Sequence, residues 1–323
     1  MKKEKIDEKE KTYDFVIIGA GVTGMAAAMY AARLGLRTLC LGKSSSGEMP
    51  IGGIITTTDS IENYPGFVHL TGEELANKIR DHTLSYPLAE IKNEGVESVK
   101  KQKNLFLIKT SEHEYKGITI LFATGARWKG LECKGSKEFE NKGIAYCALC
   151  DAPLYRNKVV GLIGGSDGAA KDALVLSKYA KKVYIIYRRE QIRPEPVNMK
   201  KIEEAKNIEI INKANVIEVK GDKRVKGVVL DRKYNGSNEL ALDGVFVAIG
   251  HTAISELAKE LGVRLNEKEE IIIDHKTSET NIEGIYAAGD VVDKPFKQAI
   301  TGVAEGCTAA YSAFEYLKKS KRN

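Results

Sequence analysis

The fold is decided by residues 16 to 43, which read VIIGAGVTGMAAAMYAARLGLRTLCLGK. An apolar strand is followed by a glycine-rich turn, an alanine-rich helix, a basic turn and a second apolar strand. A second stretch, residues 161 to 188, reads GLIGGSDGAAKDALVLSKYAKKVYIIYR and repeats this order without a gap. Such strand, helix, strand units build parallel sheets, so the sequence predicts an α/β protein that contains the unit twice.

The turn of the first unit carries Gly19, Gly21 and Gly24 in the spacing GxGxxG. Gly19 permits the sharp turn, Gly21 lets a pyrophosphate touch the backbone, and Gly24 lets the helix approach the sheet. The phosphates then meet the N-terminus of the helix, which favours anions. A glycine turn required only by packing is the alternative interpretation. Gly42 and Lys43 stand where an acid for the ribose hydroxyl is usual, so the turn alone leaves the kind of nucleotide open.

A segment near the C-terminus narrows the choice of nucleotide. Residues 280 to 290 read TNIEGIYAAGD and predict a strand that ends at Gly289 and Asp290. A glycine that lets a ligand approach, followed by a carboxylate that accepts a hydroxyl hydrogen bond, suits the ribityl chain of FAD. A helix is predicted from about Gln298 to Leu317, and the amides at its start favour the negative charge of a reduced flavin. Alternatively, Gly289 and Asp290 form only the entry turn of this helix.

Cys147 and Cys150 stand between the two glycine turns and are followed by Asp151. Thiol to disulfide interconversion is a two-electron couple, as is hydride transfer, so electrons that enter from a nucleotide could leave through this dithiol. A zinc half-site is the alternative, but the sequence offers no second CxxC or nearby histidine pair to complete four ligands. The other cysteines are predicted to be structural thiols, namely Cys40, Cys133 and Cys307.

Composition agrees with a protein of two ordinary domains. The chain has 323 residues, of which 43% are hydrophobic, and no apolar run approaches the roughly 18 residues of a membrane span. Much of the net charge of +6 lies in the first eleven residues and in Lys318 to Arg322, where basic ends are usually solvated and need no nucleic acid. Five scattered cysteines and an opening without an apolar segment predict a cytoplasmic protein. Neither a nucleic-acid partner nor a membrane is expected.

Together these residues resemble the low-molecular-weight thioredoxin reductases, within the pyridine nucleotide-disulfide oxidoreductases. The resemblance runs from about Tyr13 to Leu317 and includes GGIITTTDSIENYPG (52–66), ATGA (123–126), AIGH (248–251) and KQAITGVAEGC (297–307). It implies two Rossmann-like nucleotide-binding domains, the second inserted into the first. The FAD domain would comprise residues 13–125 and 251–323, the pyridine-nucleotide domain with the CxxC residues 126–250, and residues 1–12 a basic tail. A homodimer is implied as well.

The resemblance also implies roles for individual residues. Cys147 would attack the disulfide of a partner, Cys150 would face the flavin, and Asp151 would protonate the leaving thiolate. A CxxC at a helix start lowers the pKa of a thiol from about 8.5 towards neutrality. The alternative role of Asp151 is a carboxylate at a helix N-terminus. The candidate FAD-binding residues are Gly19, Gly21, Val22, Thr23, Gly24, Gly52, Gly53, Ile55, Asn63, Val96, Ala123, Thr124, Gly125, Gly289, Asp290, Lys297, Gln298 and Ala299.

Two positions depart from the family pattern. Ile54 replaces a glutamine near the isoalloxazine, which predicts a shifted flavin potential. The second glycine turn reads GGSDGA (164–169) where three glycines and an asparagine are usual, and its candidate nucleotide contacts are Gly165, Ser166 and Asp167. Ser166 places a Cβ where a pyrophosphate would press on the backbone. The carboxylate of Asp167 is predicted to repel the phosphates unless a cation intervenes. Weaker binding of a pyridine nucleotide is therefore expected.

Three arginines in the same unit indicate instead that it binds a pyridine nucleotide. Arg188, Arg189 and Arg193 follow the second strand of this unit, where an NAD-specific unit has an acid. They match the family signature HRRxxxR except that Tyr187 replaces the histidine. Guanidinium groups bind a 2′-phosphate with paired hydrogen bonds, which favours NADPH. A solvated basic turn is the alternative.

The sequence thus predicts an FAD-dependent enzyme that passes electrons from NADPH through Cys147 and Cys150 to a disulfide of a small thioredoxin- or glutaredoxin-like protein. One alternative keeps the flavin and the dithiol but takes electrons from a reduced deazaflavin or a ferredoxin. The other is a non-catalytic flavin protein whose dithiol only reports redox state. The complete CxxCD favours an enzyme.

Overall fold

The chain forms two compact units in the computed structural model, which describes residues 12–43, 51–58 and 61–320. The first unit combines Met1–Arg127 with Thr252–Asn323, and the second is Trp128–His251. Most of the basic N-terminal tail and part of the basic C-terminal end predicted above lie outside the described residues, as do residues 59 and 60 of the loop 52–66.

The first segment of the first unit begins with the strand, helix and strand that residues 16 to 43 predict. Its elements are β1 (Thr12–Ile18), α1 (Val22–Arg33), β2 (Thr38–Leu41), a 3-10 turn (Ile54–Thr57), α2 (Gly72–Leu84), β3 (Ala89–Lys92), β4 (Val96–Gln102), β5 (Leu105–Thr110), β6 (Glu114–Phe122) and β7 (Ala126–Trp128). Phe15, Val16 and Ile17 have no solvent exposure, so β1 lies in the core.

The second unit repeats the pattern in β9, α4 and β10. Its elements are β8 (Ile144–Ala145), α3 (Ala148–Asp151), a 3-10 turn (Ala152–Tyr155), β9 (Val159–Ile163), α4 (Asp167–Ser177), β10 (Lys182–Tyr187), α5 (Pro196–Glu204), β11 (Ile208–Asn212), β12 (Val216–Gly221), β13 (Val225–Tyr234), β14 (Ser237–Ala241) and β15 (Gly244–Val247). β16 (His251–Ala253) begins at the last residue of this unit and continues into the first. Five of these strands form a sheet in the order β11-β10-β9-β15-β8, and its strands are parallel.

The chain then completes the first unit. The remaining elements are α6 (Glu256–Glu260), β17 (Ile285–Ala287), a 3-10 turn (Gly289–Val291) and α7 (Ala299–Ser320). β17 pairs in parallel with the second half of β6, so β3-β2-β1-β6-β17 is a parallel layer. β5 and β4 extend the first half of β6 in antiparallel fashion. The carboxyl ends of the parallel strands meet at one edge, which is where such sheets bind ligands.

Helix α7 packs closely on α1 because both present small residues. A Cβ on Gly306 would lie 2.5 Å from the carbonyl oxygen of Thr23, and one on Gly302 would lie 2.5 Å from Thr23 Oγ1. Ala309, Ala310 and Ala313 of α7 are fully buried in the same cluster as α1 alanines. The distant C-terminal helix is thereby fixed beside the first glycine turn. Among the described residues, no helix has both the length and the apolar character needed to cross a membrane.

Among its described residues, the first unit also buries the carboxylate of Glu94, which is 5% exposed. Its oxygens accept hydrogen bonds from Thr110 Oγ1 (2.8 Å) and Tyr115 Oη (2.8 Å), and His113 Nδ1 lies 3.1 Å away. Burial by itself would raise the pKa of Glu94, but the hydrogen bonds outweigh it and the pKa lies below its usual value. The ionised form is therefore stabilised by folding.

Replacing Glu94 by alanine is expected to lower the free energy of unfolding by about 3 kcal/mol at pH 7, because buried donors lose their acceptor. Since folding lowers this pKa, the contribution is complete above the unfolded value of about 4.3 and is lost as the pH falls below it. Denaturant unfolding of both proteins between pH 7 and pH 3 measures this. Glu97→Ala, at an exposed position of β4, is the control and should change stability little at any pH. A Glu94→Ala penalty that persists undiminished at pH 3 would contradict the assignment.

Candidate active site

The three glycines of the first turn differ in whether the packing of the protein requires glycine. Packing requires it at Gly19 and Gly24 but not at Gly21. Gly19 has φ +116°, and a Cβ on it would lie 2.2 Å from the carbonyl oxygen of Ala123. A Cβ on Gly24 would lie 1.9 Å from the carbonyl oxygen of Gly19. Gly21 has an ordinary φ of −78°, and a Cβ there would meet nothing closer than the oxygen of Gly52 at 3.7 Å. The glycine at 21 thus keeps a concave backbone surface open, as binding of a pyrophosphate requires.

The N-terminus of α1 is equally open. Gly21 is its N-cap, no side chain among the described residues caps it, and its first turn has no acidic residue. The first amides of a helix lack intrahelical acceptors and carry a partial positive charge. Val22, Thr23 and Gly24 therefore present backbone groups suited to a phosphate.

Three other chain segments approach this turn. The N–H of Gly52 donates to the carbonyl oxygen of Ala20 at 2.9 Å, and Gly52 bridges Gly21. Gly289, with φ +86°, lies so close to Thr23 that a Cβ would be 2.9 Å from its Oγ1. The structure thus brings together candidate residues separated by most of the chain, namely Gly19, Gly21, Val22, Thr23, Gly24, Gly52, Gly53, Ala123, Thr124 and Gly289.

The segment that follows Gly289 is held by two lysines. Lys297 Nζ lies 2.5 Å from Glu270 Oε1 and donates to the carbonyl oxygen of Asp290 at 2.8 Å. Lys294 Nζ, which is nearly buried, lies 2.8 Å from Glu305 Oε2. The sequence interpretation missed Lys294, Glu270 and Glu305, because no local pattern links a loop lysine to a glutamate on another element.

Other candidates border this region. Asn63 Nδ2 donates to Gln298 Oε1 at 3.1 Å, and Ile55 and Ala299 pack against the same buried clusters. The carbonyl oxygen of Gly125 accepts from the N–H of Ile254.

Val96 lies apart from these residues at the start of β4. Its neighbour Gly95 approaches Lys43, since a Cβ on Gly95 would lie 3.5 Å from Lys43 Cβ. Val96 is thus near the end of β2, where an adenosine would extend in a Rossmann-like unit. The open turn, the uncapped helix and this edge fit FAD.

The dithiol lies in the second unit at the start of α3. Cys147 is the N-cap of this short helix, and its Sγ accepts from the N–H of Cys150 at 3.1 Å. The two cysteines form a disulfide with Cα atoms 5.3 Å apart. Cys147 is 9% exposed, whereas Cys150 is exposed. Asp151 is the last residue of α3 and donates its N–H to the carbonyl oxygen of Cys147.

The remaining cysteines are free thiols, of which Cys40 is buried and Cys133 and Cys307 are partly buried. Burial raises the pKa of Cys40 to about 12 and that of Cys307 to about 11, and it raises the pKa of Cys133 as well. A raised pKa lowers the fraction of thiolate at neutral pH and therefore the reactivity of these thiols in disulfide exchange. Within the described part of the chain, the one cluster of three metal-type side chains is Glu94, Glu112 and His113, which includes no cysteine.

The second glycine turn is built differently from the first. A Cβ on Gly165 would lie 2.5 Å from the ring of Tyr187, so this glycine is needed for packing. Ser166 is the N-cap of α4, and its Oγ accepts from the N–H of Ala169 at 3.3 Å. Asp167 follows in the first turn. One first-turn amide of α4 is therefore satisfied by the protein itself, which agrees with the expectation of weaker pyrophosphate binding.

The structure shows a cation and two hydrogen-bond donors around the carboxylate of Asp167. The carboxylate accepts from the N–H of Glu195 and from Nδ2 of Asn198 and pairs with Lys171. Much of the charge that was predicted to repel phosphates is thus offset inside the unit. Sequence alone could not reveal this, because Glu195 and Asn198 are remote in the chain.

The arginine end of this site fits a phosphorylated nucleotide. Arg188, Arg189 and Arg193 are exposed, and within the described ranges none of their guanidinium groups is paired with a carboxylate. Oδ1 of Asn212, opposite Tyr187 at the end of β11, is the one buried side-chain atom that finds no partner among the described residues. An unpaired buried acceptor at the ligand-binding edge of a parallel sheet suits a nucleotide donor group.

The fold, the two glycine turns and the Cys147–Cys150 disulfide define the class of the protein. It is an oxidoreductase that binds two nucleotides and carries an internal disulfide. The family model described as pyridine nucleotide-disulphide oxidoreductase matches residues 13–306, and the chain belongs to this family. Thioredoxin reductase of Treponema pallidum (strain Nichols) is 35% identical over 312 residues, which cover 95% of this chain and 98% of that protein.

Solved structures of thioredoxin reductases are also similar to this chain. Lactococcus lactis thioredoxin reductase in its FR conformation has a TM-score of 0.89 and 34% identity, covering 95% of this chain and 99% of its own. A ferredoxin-flavin thioredoxin reductase from Clostridium acetobutylicum has a TM-score of 0.51 and 32% identity, covering 95% and 99%. These findings confirm the predicted fold class and enzyme class, and they imply FAD and NADPH as cofactors.

Proposed function

We propose that this chain is a thioredoxin reductase-like flavoenzyme that uses NADPH to reduce the disulfide of a small thioredoxin- or glutaredoxin-like protein, in the cytoplasm and as a homodimer. FAD is assigned to the discontinuous unit and NADPH to the inserted one. The observation that carries the proposal is the Cys147–Cys150 disulfide in a chain whose first glycine turn has an open backbone surface at Gly21.

Each reactive residue has its own role in the proposed reaction. FAD, when bound, supplies the transfer of two electrons from NADPH to the disulfide. The Cys147–Cys150 bond then breaks and leaves two thiols. The thiolate of Cys147 attacks the partner disulfide and forms a mixed disulfide, while Asp151 gives a proton to the leaving thiolate. Cys150 next attacks Cys147, which releases the reduced partner and restores the internal disulfide.

Binding is assigned to the residues already described. The open turn at Gly21 and the first amides of α1 would hold the pyrophosphate of FAD, and Asp290 would accept a ribityl hydroxyl. Arg188, Arg189 and Arg193 would hold the 2′-phosphate of NADPH, since each guanidinium can donate two parallel hydrogen bonds.

Anaerobic flavin absorbance tests the assignment of the donor. NADPH is expected to bleach the flavin much faster than NADH. The double variant Arg188→Ala, Arg189→Ala is expected to reduce that difference at least about tenfold and to leave the share that Arg193 contributes, because each charge-assisted phosphate contact contributes roughly 1.5 to 3 kcal/mol. Arg156→Ala, which removes an exposed arginine of the inserted unit before the start of β9, is the control and should keep the preference. Equal bleaching by both nucleotides in the unmodified protein would contradict the assignment.

A second candidate differs only in the electron donor. Ser166 satisfies a first-turn amide of α4, which favours a reduced ferredoxin or deazaflavin over a nucleotide at this turn. If neither nucleotide reduces the flavin although dithionite does, this candidate replaces the first. The variant Ser166→Gly should then restore reduction by NADPH.

A further inference from the structure

Asp167 connects the first turn of α4 to the segment that carries Arg193. Its Oδ1 accepts hydrogen bonds from the N–H of Glu195 at 2.8 Å and from Nδ2 of Asn198 at 2.7 Å. Its Oδ2 lies 3.0 Å from Nζ of Lys171 on the same helix. Burial would raise the pKa of Asp167, but these contacts together lower it. The carboxylate is therefore ionised at neutral pH and committed to its neighbours.

The segment from Arg193 to Glu195 is attached to the second glycine turn at two points. The N–H of Arg193 donates to the carbonyl oxygen of Gly165 at 2.7 Å. Two residues later the N–H of Glu195 donates to Asp167. Asn198, the third anchor, is 4% exposed at the start of α5. The backbone that bears Arg193 thus has a fixed position relative to the turn at Gly165.

We propose that Asp167 is a positioning residue that gives the inserted unit its preference for a nucleotide with a 2′-phosphate. The inference rests on the proposed use of NADPH. An arginine side chain loses much conformational freedom when it binds a phosphate, so an arginine on a fixed backbone binds at lower cost than one on a loose loop. Asp167 supplies that fixed backbone through the N–H of Glu195. Without its carboxylate, the segment loses the hydrogen bond at Glu195 and keeps the attachment at Gly165 and the buried side chain of Ile192.

Isothermal titration of the FAD-loaded protein with 2′,5′-ADP and with 5′-AMP measures the preference directly, without turnover. The first probe carries the 2′-phosphate and the second lacks it. The unmodified protein is expected to bind 2′,5′-ADP at least about tenfold more tightly, as a single charged hydrogen bond would give. Asp167→Ala is expected to reduce this ratio about tenfold, with affinity for 5′-AMP changed less than about twofold.

Two matched variants distinguish loss of the fixed backbone position of Arg193 from loss of the negative charge at residue 167. Asp167→Asn removes the same negative charge as Asp167→Ala but retains a carbonyl oxygen that can accept from Glu195 and Asn198. It is expected to keep the ratio within about threefold of the unmodified protein. Lys171→Met removes the ion pair and leaves the carboxylate in place, and it should also keep the ratio. Hydrogen exchange of the segment 188–198 should accelerate in Asp167→Ala and stay slow in the other two.

The outcomes distinguish this inference from the proposed function. If the unmodified protein has no preference for 2′,5′-ADP, the use of NADPH fails and the inference fails with it. If the preference exists and Asp167→Ala keeps it, the positioning role is wrong and the donor assignment stands. Equal losses in Asp167→Ala and Asp167→Asn would also overturn the positioning role, because they would show that charge alone matters.

Discussion

Serine at Cys147 or at Cys150 is expected to abolish turnover with a protein disulfide, with a loss of at least about 10³-fold in kcat. The two cysteines form one disulfide, and neither alone can accept two electrons and return to its starting state. Steady-state reduction of a thioredoxin disulfide, followed with a thiol reagent, measures the loss. Reduction of the flavin by its donor should persist in both variants, because the dithiol acts after the flavin.

Spectra of the same variants test whether the two thiols differ in role. Cys147→Ser is expected to leave the thiolate of Cys150 beside the flavin and to produce a long-wavelength charge-transfer band, whereas Cys150→Ser should not. The control is Cys133→Ser, whose thiol has a pKa raised by burial and should not take part. Full turnover in either single variant of the pair would refute the relay, and a band in Cys150→Ser alone would exchange the two roles.

Alanine at Gly24 is expected to lower the free energy of unfolding by about 3 kcal/mol or more, because overpacking of a tight contact costs this much. Its Cβ would lie 1.9 Å from the carbonyl oxygen of Gly19, so α1 must move away from β1. For a domain of this size the midpoint of thermal unfolding should fall by about 6 °C or more. Differential scanning fluorimetry of the FAD-free protein measures it.

Alanine at Gly21 is expected to leave thermal stability nearly unchanged and to lower the affinity for FAD. Its Cβ has 3.7 Å of clearance to the oxygen of Gly52, so the FAD-free protein should unfold within about 1 °C of the original. The affinity for FAD should fall about 10²-fold or more, since the methyl group occupies the surface that the pyrophosphate approaches. Fluorescence titration with FAD measures this.

Gly168→Ala is the control for both glycine variants. Its Cβ would meet only Ser166 Oγ at 3.8 Å, and alanine is the better helix former. Neither stability nor FAD affinity should fall. Unchanged FAD affinity in Gly21→Ala would show that this glycine does not contact the cofactor.

The sequence determined the two Rossmann-like units and the chemistry of the dithiol, because both depend on residues close together in the chain. The periodicity of residues 16–43 and 161–188 is local, and each stretch folds into strand, helix and strand. The CxxC spacing, in a chain whose sequence offers no second CxxC or nearby histidine pair for zinc, predicts a redox-active pair of cysteines, and the two cysteines form a disulfide. The family resemblance added the fold class, the enzyme class and the cofactors. The domain boundaries, the individual binding residues and the roles of the two thiols stay predictions.

Only the tertiary structure decided what individual residues within those motifs do. Gly21 and Gly24 belong to the same glycine motif. A Cβ on Gly21 would make only an ordinary contact, at 3.7 Å from the oxygen of Gly52, whereas a Cβ on Gly24 would lie 1.9 Å from the carbonyl oxygen of Gly19. Asp167 was interpreted as a charge that repels phosphates, whereas its partners Glu195 and Asn198 come from beyond the next strand. Such contacts depend on how elements remote in sequence pack, and no local pattern encodes them. Local pattern fixes the elements and the reactive groups, and packing sets the environment in which each group acts.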